Sequence, residues 1–453
     1  MEIFVLLMAA AAGGSLLWLA VQTLRSPKGL WRAAAERCGL THLDESSGLR
    51  GRYRLEDGSE VDVWFESYSR ADEEDSEKTI RGTRVIVDGA GRLVPLSLSR
   101  ESRGGLWQKH ALGEIQIGDE GFDDDFVVNG PHTFVRAILD ADTRRQLSSL
   151  LTAADLRVQG GRLQGDVPGR SSGTHEVQVA RTVSLLLEAA RRLQRPSDLV
   201  ARLVQNALHD PVAKVRLANL LTLVAEYPER PATERALFEA CGDESDMVRV
   251  RAAIPRGERG RPILLEIASG SLDDGAGARA VAALDEYLPS DIVSDVLRRA
   301  LRLRQMQTAR ACLVTLARRG EAAVRQVVNV LSIEKGELAI VAAEALAATG
   351  SPDAEAHLVA ALSRNIPELR IAAARGLGRV GSASAVLPLK EAEARHAGET
   401  GFSRAAREAI AQIQERLTGA SPGQLSLAAA EAGTLSLTED ERGRLSLKDP
   451  APR

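Results

Sequence analysis

The chain has 453 residues, with 58 Lys plus Arg against 62 Asp plus Glu and a formal charge of −4, which is length for two or three domains. The near balance of charge excludes a global basic field for nucleic acid, and 3 Cys exclude a disulfide framework. Aromatic residues make up only 3% of the chain, so packing has to come from small and aliphatic side chains on helices.

Residues 3–21 carry no charged side chain, and a helix of that length spans about 28 Å, close to the ~30 Å hydrocarbon core of a bilayer. Only Glu2 is charged ahead of this run, where a cleaved signal peptide would have a basic segment. The expectation is a retained transmembrane anchor over residues 1–25. Arg25, Lys28, Arg32 and Arg37 follow it, and the positive-inside rule then predicts a single-pass inner-membrane protein whose remaining domains face the cytoplasm. Cys38, Cys241 and Cys312 stand singly in helical patterns, as expected of reduced, unreactive thiols.

Across residues 29–175 a short amphipathic helix at 30–38 gives way to period-two alternation. Strands are predicted at 60–66 and 83–88, with shorter ones at 49–55, 93–98 and 114–117. Asp57-Gly58, Gly89, Gly91 and Gly104-Gly105 supply turn chemistry between them. Residues 126–131 read as a strand running into a Pro-initiated helix, 142–151 as a second helix, and 156–164 as a closing hairpin. This predicts a small antiparallel sheet with a few helices, an α+β domain. The acidic runs at 72–77 and 119–125 lack the alternating carboxylates and distal Glu of a calcium loop, and read as solvated loops. The segment 117–130, with the helices and hairpin after it, resembles a domain of uncharacterised membrane-associated bacterial proteins, and that resemblance implies no known activity. A connecting helix is predicted over 176–195, with Val179, Val183, Leu186, Leu187 and Leu193 on its apolar face.

From 196 to 418 one pattern recurs. Anchored on positions 216, 249, 278, 309, 339, 370 and 403, its copies are spaced by 33, 29, 31, 30, 31 and 33 residues. A period near 31 with room for two helices is a solenoid period. Gly320, Gly350 and Gly381 fall at matching positions where a left-handed cap is expected. The motif is fullest at 210–221 and around Arg370, and there the chain resembles bacterial HEAT repeats of the short, phycobilisome-lyase-like type. The resemblance implies that Arg216, Arg249 and Arg370 pair with an acidic residue of the adjacent unit. The third to fifth units lack Arg at this position, which implies irregular packing or a bend. Iron hydroxylases of the repeat family need several His-Glu pairs on successive inner helices, whereas His175-Glu176 is the one such pair here and precedes the repeats. No nucleotide-loop, hydrolase-elbow or zinc-protease motif occurs, so no cofactor, metal or catalytic residue is expected.

Charge in the repeats is balanced, 29 basic to 29 acidic, yet residues 249–325 hold 14 basic and 9 acidic side chains. Two knots stand out: Arg249, Arg251, Arg256, Arg259 and Arg261, then Arg298, Arg299, Arg302 and Arg304. They are the candidate partner-binding residues, a cradle for an acidic protein segment, a lipid head group or nucleic acid. The competing reading is of solvated helix faces paired to Asp273, Asp274, Glu286 and Asp295.

The tail, 419–453, repeats Gly-x-Leu-Ser-Leu three times, with leucine pairs at Leu425 and Leu427, Leu435 and Leu437, and Leu445 and Leu447. Both leucines of a pair share one face of a strand. The expectation is docking on the last repeat or addition to a partner's sheet edge. Taken together, the predicted fold is a transmembrane helix, an α+β domain, an all-α HEAT-like solenoid of about seven repeats and a β-prone tail. The predicted function is a membrane-anchored, non-enzymatic scaffold that binds a protein partner. The alternative is a ligand sensor or enzyme with its site in the α+β domain and the solenoid as assembly module.

Overall fold

The computed structural model describes residues 27–46, 48–71, 79–89, 91–100, 113–153, 155–169 and 173–416. By its contacts the chain divides into two compact units, Met1–Arg251 and Ala252–Arg453.

In the first unit, α1 (Pro27–Arg37) leads into β1 (Thr41–Asp44), β2 (Leu49–Arg54), β3 (Glu60–Ala71), β4 (Thr79–Asp88) and β5 (Ser97–Arg100). Then come α2 (Glu120–Asp125), β6 (Phe126–Asn129), α3 (His132–Ile138), α4 (Ala141–Ala153), β7 (Asp155–Gln159), β8 (Arg162–Pro168) and α5 (Gly173–Arg192). The strands form one eight-stranded sheet in the order β1-β2-β3-β4-β8-β7-β5-β6, antiparallel throughout. This sheet is larger than the sequence suggests. Val61, Val63 and Phe65 of β3 and Val85 and Val87 of β4 alternate inward, as period two requires. They join Trp31, Ala34 and Ala35 of α1 and Val179, Val183 and Leu186 of α5 in one core. Residues 114–117 form no strand, although Ile115 donates its N–H to the Val128 carbonyl at 2.8 Å.

The acidic run after residue 118 is not a solvated loop. It forms α2, and the Asp123 carboxylate is buried and accepts the N–H groups of Ile117 and Gly118 at 2.9 and 2.7 Å. Burial raises the Asp123 pKa against the opposing pull of those two bonds.

Seven helical pairs follow. α6 (Leu199–His209) and α7 (Ala213–Glu226) lie in the first unit, and α8 (Pro231–Ala240) and α9 (Asp246–Ala253) come next in the chain. The second unit holds α10 (Arg261–Gly270) with α11 (Asp274–Leu284), α12 (Ser290–Leu303) with α13 (Met306–Ala317), and α14 (Val324–Ile333) with α15 (Glu337–Ala348). It ends with α16 (Ala354–Ala361) and α17 (Pro367–Val380), then α18 (Val386–Arg395) and α19 (Thr400–Arg416). The second helices α11, α13, α15, α17 and α19 stack on one another, through alanines such as Ala342 and Ala373 that are fully buried. Small side chains at these contacts bring the helix axes close. Gly320 and Gly350 have φ of 65° and 67°, the left-handed caps expected. Gly381 does not: its φ is −70°, and glycine is needed there because a Cβ would meet the Leu377 carbonyl oxygen at 2.5 Å.

The expected architecture is corrected in one respect. Among the described residues no helix is long and apolar enough to cross a membrane. The longest, α5, carries Glu176, Arg181, Glu188, Arg191 and Arg192, and it is buried on one stripe only, as a surface helix of a folded domain is. A fold led by a transmembrane helix, a single membrane span as partner and a single-pass inner-membrane location are therefore not carried forward. Residues 1–25, on which the anchor was placed, lie outside the described residues, as do the acidic run 72–77 and the tail 419–453.

Candidate functional site

Helix ends explain much of the solenoid's arginine. The last carbonyls of a helix have no partner within it and carry the negative end of its dipole. Arg299 of α12 donates to the carbonyls of Gly270 and Ser271 at the end of α10, at 2.6 and 3.0 Å. Arg364 serves Leu331 and Glu334 at the end of α14, and Arg416 serves Gly378 and Gly381 at the end of α17. Each guanidinium ties one helical pair to the one before it.

Two further arginines each tie a pair to the next. Arg216 makes a bidentate pair with Asp243 at 2.8 Å to both oxygens and also donates to the Asp210 carbonyl. The bond to Asp243 raises its pKa over the opposing effect of burial. Arg370 pairs with Glu399 and donates to the Arg364 carbonyl at 2.6 Å. Arg249 pairs with Asp246 and donates to the Cys241 carbonyl. Where this arginine is missing, a carboxylate does the joining. Asp274 accepts the N–H groups of Gln307 and Thr308 at 2.9 and 2.8 Å.

The two basic knots separate accordingly. Arg249 and Arg251 belong to the first unit and the other seven to the second. Arg256 is half-buried. Arg261 lies 3.6 Å over the Tyr287 ring and pairs with Glu258. Arg298 pairs with Asp295, Arg304 with Glu334 at 3.7 Å, and Arg299 is a structural tie. Arg259 and Arg302 are exposed and have no ion-pair partner among the described residues. Arg302 lines an open groove of about 810 Å³ along α12, with Ile292, Val296, Leu301, Arg298 and Ser269.

Sequence reading missed three exposed aliphatic side chains that share one register of the repeat, here called the line. Leu272, Leu303 and Ile333 are 81%, 48% and 75% exposed. They occupy the same register, six residues before the anchors 278, 309 and 339. In the first two units that position holds Asp210 and Asp243, which serve the arginine ties, and in the sixth it holds Arg364. Three of the four units without an anchoring arginine, the third to fifth, thus present a large aliphatic side chain to solvent instead. Exposed Lys335 and Arg302 flank the line, and neither has an ion-pair partner among the described residues. Register counting within the repeat was the signal that could have found it.

The α+β domain has a separate pocket of about 360 Å³ whose walls include Leu30, Trp31, Tyr68, Arg81, Thr83 and His175. Its floor is a polar relay: Trp31 Nε1 donates to Thr83 Oγ1 at 3.0 Å, and Thr83 Oγ1 lies 3.0 Å from His175 Nε2. Burial lowers the His175 pKa, because it disfavours the charged imidazolium. His175 thus sits in the sheet domain, and among the described residues no group of three or more His, Cys, Asp or Glu is placed to hold a metal ion.

Comparison with known proteins adds the family of the repeats. No curated protein matches the chain. Among solved structures, that of human deoxyhypusine hydroxylase in complex with glycerol is similar at 15% identity over 48% of this chain and 96% of that one, with a TM-score of 0.21, which carries no argument about fold or activity. The family model for HEAT repeats matches residues 326–411, which span α15, α16, α17 and α18 and most of α14 and α19, so this part of the chain is similar to HEAT repeats.

Proposed function

We propose that the chain is a non-enzymatic scaffold that holds an acidic, aliphatic-bearing segment of another protein along the α12 groove and the line Leu272, Leu303 and Ile333. HEAT repeats suggest a role in protein interaction, because stacked units offer an extended surface. The observation that carries the finer reading is Arg302, exposed and without an ion-pair partner among the described residues, next in sequence to the exposed Leu303. Aliphatic contact would supply affinity and the cations would select charge. The test is capture by the tagged full chain over a range of salt, with wild type beside R298E/R302E. A discrete set of proteins should be retained at low salt, released as exposed charges are screened, and lost in the variant with its helical circular dichroism unchanged. Retention of the same proteins at the same salt by the variant would overturn the assignment.

The pocket over Trp31, Thr83 and His175 supports a second reading, a small-ligand site in the α+β domain, since its volume lies within the range of ligand pockets. Saturable stabilisation of the wild-type chain by a small molecule, abolished in T83V, would favour it.

A further inference from the structure

We infer that residues 435–441 of the tail dock on the line Leu272, Leu303 and Ile333, with Leu435 and Leu437 against its aliphatic side chains and Glu439, Asp440 and Glu441 against Arg302, Arg304 and Lys335. This rests on the docking surface proposed above and names a competitor for it.

Three observations on the page support the assignment. The first is charge. Of the three Leu-Ser-Leu copies, only the middle one runs into an acidic cluster; Leu427 is followed by three alanines and Leu447 by Lys448. Beside Leu303 and Ile333, Arg302 and Lys335 are exposed cations with no ion-pair partner among the described residues, the complementary sign. The second is length. Leu435 and Leu437 lie about 7 Å apart in an extended chain, within reach of two successive residues of the line on helices stacked ~10 Å apart. The third is reach. From Arg416, the last described residue, to Leu435 there are 18 intervening residues, up to about 60 Å of extended chain, against about three helical pairs of stacking between α19 and α13. Because tail and surface are tethered, a modest intrinsic affinity gives high occupancy through effective concentration, and a partner must displace the tail to bind.

The experiment places a photoreactive p-benzoylphenylalanine at Leu303 of the purified full chain at high dilution and maps the cross-linked peptide. An intrachain link to 435–441 is expected in the monomer band, with several-fold lower yield in E439K/D440K/E441K and in R302E. A link to 425–427 or 445–447 in equal yield would overturn the choice of copy, and a link confined to a dimer band would overturn the intramolecular contact. As a second readout, a fluorescent peptide of residues 433–442 added to the E439K/D440K/E441K chain should bind saturably and more weakly as salt rises; absence of binding overturns the proposal. Absence of any tail link while captured proteins still cross-link at position 303 would remove this inference and leave the docking surface standing, whereas loss of both would remove both.

Discussion

Arg144 of α4 and Asp210, in the turn between α6 and α7, form a bidentate ion pair at 2.9 and 3.1 Å, with both side chains almost wholly buried. The same guanidinium donates to Asp119 and to the Leu139 carbonyl, each at 2.8 Å. Burial works against its charge, and the bonds to Asp210 and Asp119 more than offset it, leaving the Arg144 pKa above its ordinary value. Around it Asn206 donates to the carbonyls of Arg136 and Ala137, and Arg136 donates to the Ala218 carbonyl. The α+β fold and the first helical pair are thereby one hydrogen-bonded body.

Removing one partner of this pair leaves a buried charge short of compensation, which costs about 3–5 kcal/mol in such sites. D210A should lower the stability of the full chain by that order in urea denaturation followed by circular dichroism. The double variant R144M/D210L should recover a good part of the loss, because neither charge then remains buried. Equal losses in the single and double variants would contradict the pairing argument.

Ala373 is fully buried in the stack of second helices. A carboxylate there has no partner and no water, so Ala373→Asp should destabilise by roughly 3 kcal/mol or more. An unchanged melting curve would contradict the stacking of α15, α17 and α19.

His175 gives the fold a pH dependence whose sign follows from burial. Its folded pKa is lowered from 6.5, so below the unfolded value the unfolded chain takes up a proton that the folded chain resists. Stability from this group is complete above about pH 6.5 and is lost as pH falls towards the folded pKa. In thermal melts taken at steps from neutral to mildly acidic pH, the wild type should lose stability that H175Q does not. Parallel pH profiles would show that His175 does not carry the effect.

Cys312 is buried in α13, and burial pushes its thiol up to about 12. The thiolate is the reactive form, so Cys312 should resist a thiol reagent at pH 8 in the native chain and react fully in denaturant. Rapid labelling of Cys312 in the native chain would contradict its burial.

Repetition made the solenoid readable. A motif present seven times averages out local ambiguity, and Arg216 and Arg370 meet acidic residues of the next pair as the motif implied. Strands β3 and β4 were likewise visible, because one face of each is buried and the other is not. Local pattern did not reveal Asp123, whose burial depends on the N–H groups of Ile117 and Gly118 being brought to it by the fold. Nor could composition separate Arg299 from Arg302. They lie three residues apart on one helix, and only the end of α10 against Arg299 makes one a structural tie and leaves the other exposed.

That separation leads to the measurement that bears most directly on the docking surface: the affinity of the purified full chain for a captured partner, from low to high salt, in wild type, R302E and L303S. The account predicts that R302E weakens binding and flattens its salt dependence, while L303S weakens binding and leaves the salt dependence in place. Wild-type affinity and salt dependence in both variants would contradict it.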